Sequence, residues 1–78
     1  MSDTAQERVL EVFRDALGIE VPSRDTDMIE SGLLDSLSLV TVIFELEQRY
    51  GVSIPFETLE VDDFRTVDAI ARVMELGR

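Results

Sequence analysis

Apolar residues recur at helical spacing in three stretches of this chain. The first covers residues 4–17, where one helical face carries Val9, Leu10, Phe13, Ala16 and Leu17. Thr4 and Glu7 have the spacing of a capping box, in which the threonine hydroxyl caps the helix start and the glutamate reaches back. Gly18 is a typical C-terminal stop. The pattern therefore predicts a first helix over residues 4–17.

The second stretch, residues 34–50, has two apolar faces, although a helix in a small domain needs only one. At about 100° per residue, one face collects Leu39, Val42, Ile43, Leu46 and Tyr50. The opposite face carries Leu37, Val40 and Phe44, at positions i, i+3 and i+7. We expect the first face to pack in the core and the second to face solvent or a partner, with burial under a loop as the alternative. Gly51 predicts the end of this helix.

The third stretch predicts a last helix over residues 66–76, with Thr66 as its cap. Five of its apolar residues are available for burial, namely Val67, Ile70, Ala71, Val73 and Met74. Gly77 and Arg78 follow as an end that is expected to fray.

Between the second and last helices the pattern is mixed. Pro55 disfavours helix at the residue before it, so residues 52–55 are predicted to be extended. Residues 56–59 can form a short helical turn. In the linker that follows, Val61 and Phe64 are predicted to be buried.

The helical period disappears over residues 18–34. Turn-forming residues are frequent there, namely Pro22, Ser23, Asp25, Asp27, Ser31 and Gly32. The apolar residues expected to pin this segment to the core are Ile19, Val21, Met28, Ile29 and Leu33. No pair of β-strands is evident. The chain is therefore predicted to be a single all-α domain over residues 1–78: a small bundle of three main helices and a short one, with a long loop between helices one and two.

Composition narrows the possible functions. The chain has 78 residues, with 17 acidic side chains against seven basic ones, all arginine, and a net charge of −10. Such acidity argues against binding nucleic acid or an anionic membrane, and favours partners with basic patches. Simple solubility is the alternative explanation. The N-terminus shows no signal-peptide pattern and no stretch is long enough to span a membrane, so a cytoplasmic location is expected.

The usual chemistry of an active site is missing. The chain contains no histidine, cysteine or lysine, which removes the common general bases and nucleophile partners. We therefore predict no catalytic residues. Asp25 and Asp27 begin like a calcium loop, but Ile29 and Glu30 occupy positions where such a loop needs a ligand and a glycine. No metal site is expected.

Asp35 and Ser36 stand at the predicted start of the second helix. Helix capping alone can explain both residues. If Asp35 is the cap, however, the Ser36 hydroxyl is free to project outward from the first turn. The N-terminus of a helix favours negative charge, so a phosphodiester attached at Ser36 would be well placed there.

The segment Leu33-Leu34-Asp35-Ser36-Leu37, the helix after it and the segment Gly51-Val52-Ser53-Ile54-Pro55 resemble the acyl carrier protein family. The resemblance extends over essentially the whole chain. It implies that Ser36 receives 4'-phosphopantetheine from coenzyme A through a phosphopantetheinyl transferase, with Asp35 and Leu37 flanking the attachment site. The thiol of that group would hold acyl or aminoacyl groups as thioesters.

The resemblance also implies that the second helix is a docking surface for partner enzymes. The matching positions are Leu37, Val40, Thr41, Phe44 and Glu47, with Asp35 beside them. The expected partners are the transferase, a ligase that loads the acyl or aminoacyl group, and downstream transferases or synthases. A monomer that neither inserts into a membrane nor binds nucleic acid is expected.

Two departures bear on the cargo. Ser38 and Thr41 stand where carriers of primary fatty acid synthesis usually have acidic residues. Residues 56–65 also look longer than in those carriers, and the run Asp62-Asp63-Phe64-Arg65-Thr66-Val67 resembles specialised stand-alone carriers, including those that adenylating ligases load with amino acids. An aminoacyl or D-alanyl-type carrier is therefore one alternative. The others are an acidic interaction module without a prosthetic group and a carrier fold that is never modified.

A long acyl chain would need a cavity between the helices. The residues expected to line it are Leu39, Val42, Ile43, Leu46, Ile54, Leu59 and Phe64. The bulk of Ile43, Tyr50 and Phe64 favours short or amino acid cargo.

Overall fold

The structure is a computed structural model that describes residues 4–76, except for the side chain of Phe56. It contains three α-helices: α1 (Ala5–Leu17), α2 (Ser36–Tyr50) and α3 (Val67–Leu76). Two 3₁₀ helices, Phe56–Thr58 and Val61–Phe64, lie between α2 and α3. The described part of the chain has no β-strand, so the prediction of a small all-α bundle is confirmed. The sequence predicted one short helix in the α2–α3 connection, whereas the structure has two.

Helix α1 packs against both α2 and α3. The Oγ1 of Thr4 accepts a hydrogen bond from the Glu7 N–H at 3.2 Å and donates one to Glu7 Oε1 at 2.9 Å, which confirms the predicted cap. Val9 and Phe13 are fully buried, as predicted, and Leu10, Ala16 and Leu17 are partly buried against the core. The buried face is wider than predicted and includes Ala5 and Val12, because the helix has a neighbour on each side.

The inward face of α2 is the predicted one. Val42, Ile43 and Leu46 are buried, and Leu39 and Tyr50 pack partly buried against them. The helix ends at Gly51, whose φ of 65° is a left-handed conformation that side chains with a Cβ rarely adopt.

Helix α3 follows its prediction closely. The Thr66 hydroxyl accepts a hydrogen bond from the Ala69 N–H at 3.0 Å, which confirms the cap. All five residues proposed for burial in α3 are buried. The expectation of fraying at residues 77 and 78 lies outside the described residues.

The long loop, residues 18–35, is attached to the core at its centre. The Met28 side chain is fully buried, and its backbone N–H donates to the Arg65 carbonyl at 2.8 Å. The other predicted anchors, Ile19, Val21, Ile29 and Leu33, are partly buried against the core. Asp27, from the segment that begins like a calcium loop, is instead paired with Arg65 at 3.0 Å.

The prediction for Val61 is wrong. Phe64 is buried, as predicted, but Val61 is 59% exposed. The two residues lie one turn apart on the second 3₁₀ helix, where side chains three positions apart share a side. Phe64 lies at the end next to α3 and reaches the core, whereas Val61 lies a turn farther out, at the edge of a cleft.

Candidate functional site

Ser36 is the first residue of α2, and Asp35 caps the helix in front of it. Asp35 Oδ1 accepts a hydrogen bond from the Ser38 N–H at 2.8 Å, and the Asp35 carbonyl accepts one from the Leu39 N–H at 2.9 Å. Ser36 is exposed, and its hydroxyl makes no hydrogen bond within residues 4–76. Of the two candidate caps, the structure therefore uses Asp35 and leaves Ser36 accessible.

The helix start also controls the charge of Asp35. The backbone N–H of Ser38, followed by the Ser38 hydroxyl, lowers the pKa of the Asp35 carboxyl below its ordinary value, and the Leu37 backbone adds to the effect. Partial desolvation opposes this shift. A negative charge therefore stands beside Ser36 at neutral pH.

An open cleft of about 370 Å³ lies beside Ser36. We call it the serine cleft, and it is lined by Ile29, Leu34, Asp35, Ser36, Leu39, Leu59, Glu60, Val61 and Phe64. The long loop and the second 3₁₀ helix each form part of its wall. Ser36 thus stands at the rim of a small, largely apolar depression.

The serine cleft differs from the predicted cavity. Leu39, Leu59 and Phe64 line it as expected. Val42 and Leu46, in contrast, have no exposed surface, and Ile43 and Ile54 are almost fully buried. These four residues fill the core between the helices. Ile29, Leu34 and Val61 line the cleft instead. Sequence reasoning missed their role because they lie in the long loop or a short 3₁₀ helix, whose placement depends on tertiary packing.

The second apolar face of α2 is exposed, as predicted. Leu37 is 78% exposed, Val40 51% and Phe44 56%. We call these three residues the outer stripe. The long loop does not cover them, so the alternative of burial is excluded, and the stripe begins at the residue next to Ser36.

Two other residues of the predicted docking surface make contacts inside the molecule. The Thr41 hydroxyl donates to the Leu37 carbonyl at 3.2 Å, within the helix. Glu47 Oε2 accepts a hydrogen bond from the Ile54 N–H at 2.9 Å and thereby ties the extended segment after Gly51 to α2. One oxygen of Glu47 therefore serves the fold.

Comparison with known proteins identifies the kind of site. The sequence model of the family described as phosphopantetheine attachment site matches residues 7–74. The chain belongs to this family of carrier proteins. The match covers the serine cleft, the outer stripe and all three α-helices almost completely.

The carrier is also similar to D-alanyl carrier proteins of Streptococcus pyogenes. Those of serotype M5 (strain Manfredo) and serotype M1 are each 38% identical to it over 72 residues, which cover 90% of this chain and 90% of each relative. The predicted family is therefore confirmed, and with it the function of a carrier that depends on covalent 4'-phosphopantetheine.

The region around Ser36 fits such a group. Covalent attachment through a phosphodiester needs an accessible hydroxyl, and the Ser36 hydroxyl is exposed and makes no hydrogen bond in the described region. The start of α2 provides the positive end of a helix dipole for the phosphate.

No group of three or more acidic side chains in residues 4–76 is arranged to hold a metal ion, and no helix there is long and apolar enough to cross a membrane.

Proposed function

We propose that Ser36 is the residue to which the carrier's 4'-phosphopantetheine is attached. In this reaction, the Ser36 Oγ forms a phosphodiester with the phosphopantetheinyl group of coenzyme A, the diphosphate bond of coenzyme A breaks, and adenosine 3',5'-bisphosphate leaves. The hydroxyl proton passes to a base of the transferase. The observation that supports this assignment is the accessible Ser36 hydroxyl beside a cap that Asp35 already provides.

Ser36 bears the phosphodiester, and the other residues of the carrier position and present the group without catalysing any step. When bound, the group supplies a thiol that holds an acyl or aminoacyl group as a thioester. Asp35 stabilises the helix start that carries Ser36. The outer stripe provides apolar contacts to enzymes that approach Ser36. With no histidine, cysteine or lysine in the chain, the partner enzymes carry the catalytic groups.

We further propose that the outer stripe, with Asp35, Thr41 and Glu47 at its border, docks the phosphopantetheinyl transferase, a loading ligase and downstream enzymes. The transferase uses coenzyme A and the ligase uses ATP, so we propose that both steps take place in the cytoplasm. The chain is proposed to act there as one monomeric domain over residues 1–78.

For cargo, an amino acid is favoured over a long acyl chain. The relatives at 38% identity are D-alanyl carrier proteins. The serine cleft is open to solvent, and the fully buried Val42 and Leu46 occupy core space that a long acyl chain between the helices would need. We therefore propose that an adenylating ligase loads the carrier with an amino acid such as D-alanine.

Intact-mass measurement tests the attachment residue. The carrier is co-expressed with a phosphopantetheinyl transferase, and we expect a mass gain of one phosphopantetheinyl group. Ser36→Ala should show no gain, because the accepting oxygen is absent. Ser38→Ala, two residues along the same helix, is the matched control and should gain the full mass.

A gain that persists in Ser36→Ala would refute the assignment. No gain in the wild type would instead favour an interaction module without a prosthetic group, in which Phe44→Ala removes partner binding while Ser36→Ala has no effect. For the cargo, the thioester on carrier purified from its native source can be released with hydroxylamine and identified by mass. An amino acid supports our proposal, and a fatty acyl group contradicts it.

A further inference from the structure

Arg65 joins the long loop to the second 3₁₀ helix through both its side chain and its backbone. Its Nη1 donates to Asp27 Oδ2 at 3.0 Å, and its Nε donates to Asp62 Oδ1 at 2.9 Å. Its carbonyl accepts the Met28 N–H at 2.8 Å. One residue therefore holds two consecutive loop residues, Asp27 and Met28, against the element that precedes α3.

From Met28 the connection continues to the helix that carries Ser36. The Met28 carbonyl accepts the Leu34 N–H at 2.9 Å, and Asp35 and Ser36 follow Leu34 directly. The turn between Met28 and Leu34 is fixed as well, because Asp27 Oδ1 accepts the Glu30 N–H at 2.9 Å. Arg65 is thus connected to the start of α2 by hydrogen bonds of normal length through Met28 and Leu34.

The same contacts determine the shape of the serine cleft. Ile29 and Leu34 line it from the loop, and Val61 and Phe64 line it from the second 3₁₀ helix. Arg65 follows Phe64 directly, and its partner Asp27 lies two residues before Ile29. The contact between Arg65 and Asp27 therefore connects the two parts of the cleft wall beside Ser36.

We infer that Arg65 is a positioning residue for the modification of Ser36: together with Asp27 it fixes the two walls of the serine cleft and holds the start of α2 in the orientation that the transferase binds. This inference rests on the proposed function, in which Ser36 is the attachment residue. Arg65 acts through the loop and takes no part in the transfer chemistry.

The expected effect of breaking this contact is local. The Arg65 and Asp27 side chains are 36% and 34% exposed, and ion pairs this accessible contribute little to global stability. A loosened loop spends part of its time in conformations that present Ser36 poorly. The apparent KM for the carrier rises in inverse proportion to the competent fraction, whereas kcat stays the same once the complex has formed.

Arg49 provides a matched control within the same chain. Its Nε donates to Glu45 Oε1 at 3.0 Å and its Nη1 to Asp15 Oδ2 at 3.1 Å, which repeats the pattern of one near and one distant carboxylate. Its side chain is 33% exposed. It lies near the far end of α2, roughly 20 Å along the helix from Ser36, and joins α2 to α1.

The test measures transfer of phosphopantetheine from coenzyme A as a function of carrier concentration, for Arg65→Gln, Asp27→Asn and Arg49→Gln. We expect the first two variants to raise KM by about three- to tenfold with kcat nearly unchanged. Arg49→Gln should match the wild type. In hydrogen exchange, the Met28 and Leu34 amides should exchange faster in Arg65→Gln but not in Arg49→Gln.

Two further variants make the result unambiguous. Arg65→Gln and Asp27→Asn both remove the contact between Arg65 and Asp27. The KM of the double variant should therefore equal that of the more impaired single variant, rather than show both increases combined. Arg65→Lys keeps the positive charge opposite Asp27 and Asp62, and should recover part of the KM loss. It replaces Arg65→Gln in the comparison if the glutamine variant does not fold.

The inference is overturned if the Arg65 and Arg49 variants have equal KM values and equal exchange at Met28 and Leu34, or if the loss is entirely in kcat. These results are distinct from a failure of the proposed function. Failure of the proposed function appears as an unmodified wild type or a modified Ser36→Ala. Failure of the inference appears in carriers that are modified, either as equal KM values and equal exchange for the Arg65 and Arg49 variants or as a loss confined to kcat.

Discussion

At the scale of single residues, Asp35 and Ser36 could each cap α2, and the structure uses Asp35. Both are good helix caps, and a helix needs one. The Asp35 carboxylate accepts a hydrogen bond from the Ser38 N–H at 2.8 Å. Ser36, one position later, is exposed at the rim of the serine cleft. Because Asp35 is the cap, the Ser36 hydroxyl remains accessible at the start of α2.

The charge of Asp35 gives a prediction for pH dependence. Hydrogen bonds from Ser38 depress its pKa in the folded state, so its contribution to stability is complete above the unfolded value of about 3.9. That contribution is lost as pH falls through the lower folded value. Asn is an equally good cap but does not titrate. In urea unfolding between about pH 7 and pH 2, Asp35→Asn should lose less stability on acidification than the wild type. A difference between the two proteins that stays constant with pH contradicts the prediction.

At the scale of elements, α2 carries out two functions on opposite faces. Val42, Ile43 and Leu46 hold it in the bundle. The outer stripe remains uncovered, and apolar side chains grouped on one exposed helical face are more informative than singly scattered ones, which are ordinary. Glu47 adds a third contact, because its carboxylate fixes the Ile54 N–H and so positions the segment after Gly51. The face that holds the domain together is thus separate from the face proposed for partners.

Two phenylalanines test this separation with the same substitution. Phe44→Ala removes a 56% exposed side chain, so the free energy of unfolding should change by less than about 0.5 kcal/mol. Phe64→Ala removes a side chain that is 4% exposed and should cost about 3 kcal/mol or more. Urea unfolding measures both. Binding of the transferase should weaken in Phe44→Ala, and unchanged binding there would show that the outer stripe is not the docking surface.

At the scale of the whole molecule, acidity is the dominant electrostatic property. The net charge is −10 on a fold with a radius of gyration of 11.1 Å. Arg24, Arg49 and Arg65 are held in ion pairs with partly exposed carboxylates. Such pairs are weak, so we expect repulsion among the remaining acids to outweigh them. The molecule is therefore expected to attract basic partner surfaces and to be destabilised by its own charge.

This balance predicts that salt stabilises the fold. Raising sodium chloride from about 0.01 M to about 1 M shortens the Debye length from about 30 Å to about 3 Å and screens the repulsion. The midpoint of thermal unfolding should rise. Choline chloride should give the same rise if screening is responsible, rather than sodium bound to carboxylates. A falling midpoint would show that the ion pairs of Arg49 and Arg65 outweigh the repulsion.

Much of the fold could be predicted because it depends on neighbours in sequence. The helical period located α1, α2 and α3 and separated the two faces of α2. The caps at Thr4, Asp35 and Thr66 involve residues three positions apart. A short motif is therefore enough to identify Thr4 and Thr66, and it narrows the cap of α2 to Asp35 or Ser36. Helix ends at Gly18 and Gly51 follow from backbone conformations that glycine adopts readily.

The features that the sequence did not reveal join residues that are distant along the chain or lie in irregular segments. Arg65 and Asp27 are 38 positions apart, and no periodic pattern connects them. Val61 and Phe64 share one side of a 3₁₀ helix, and only the distance of each from the core makes one exposed and the other buried. The sequence by itself therefore determined the three α-helices, the caps at Thr4 and Thr66 and the candidate Ser36, and the structure chose Asp35 as the cap of α2. Only the tertiary structure decided which walls meet beside that serine, because the cleft forms where the loop and the second 3₁₀ helix pack together.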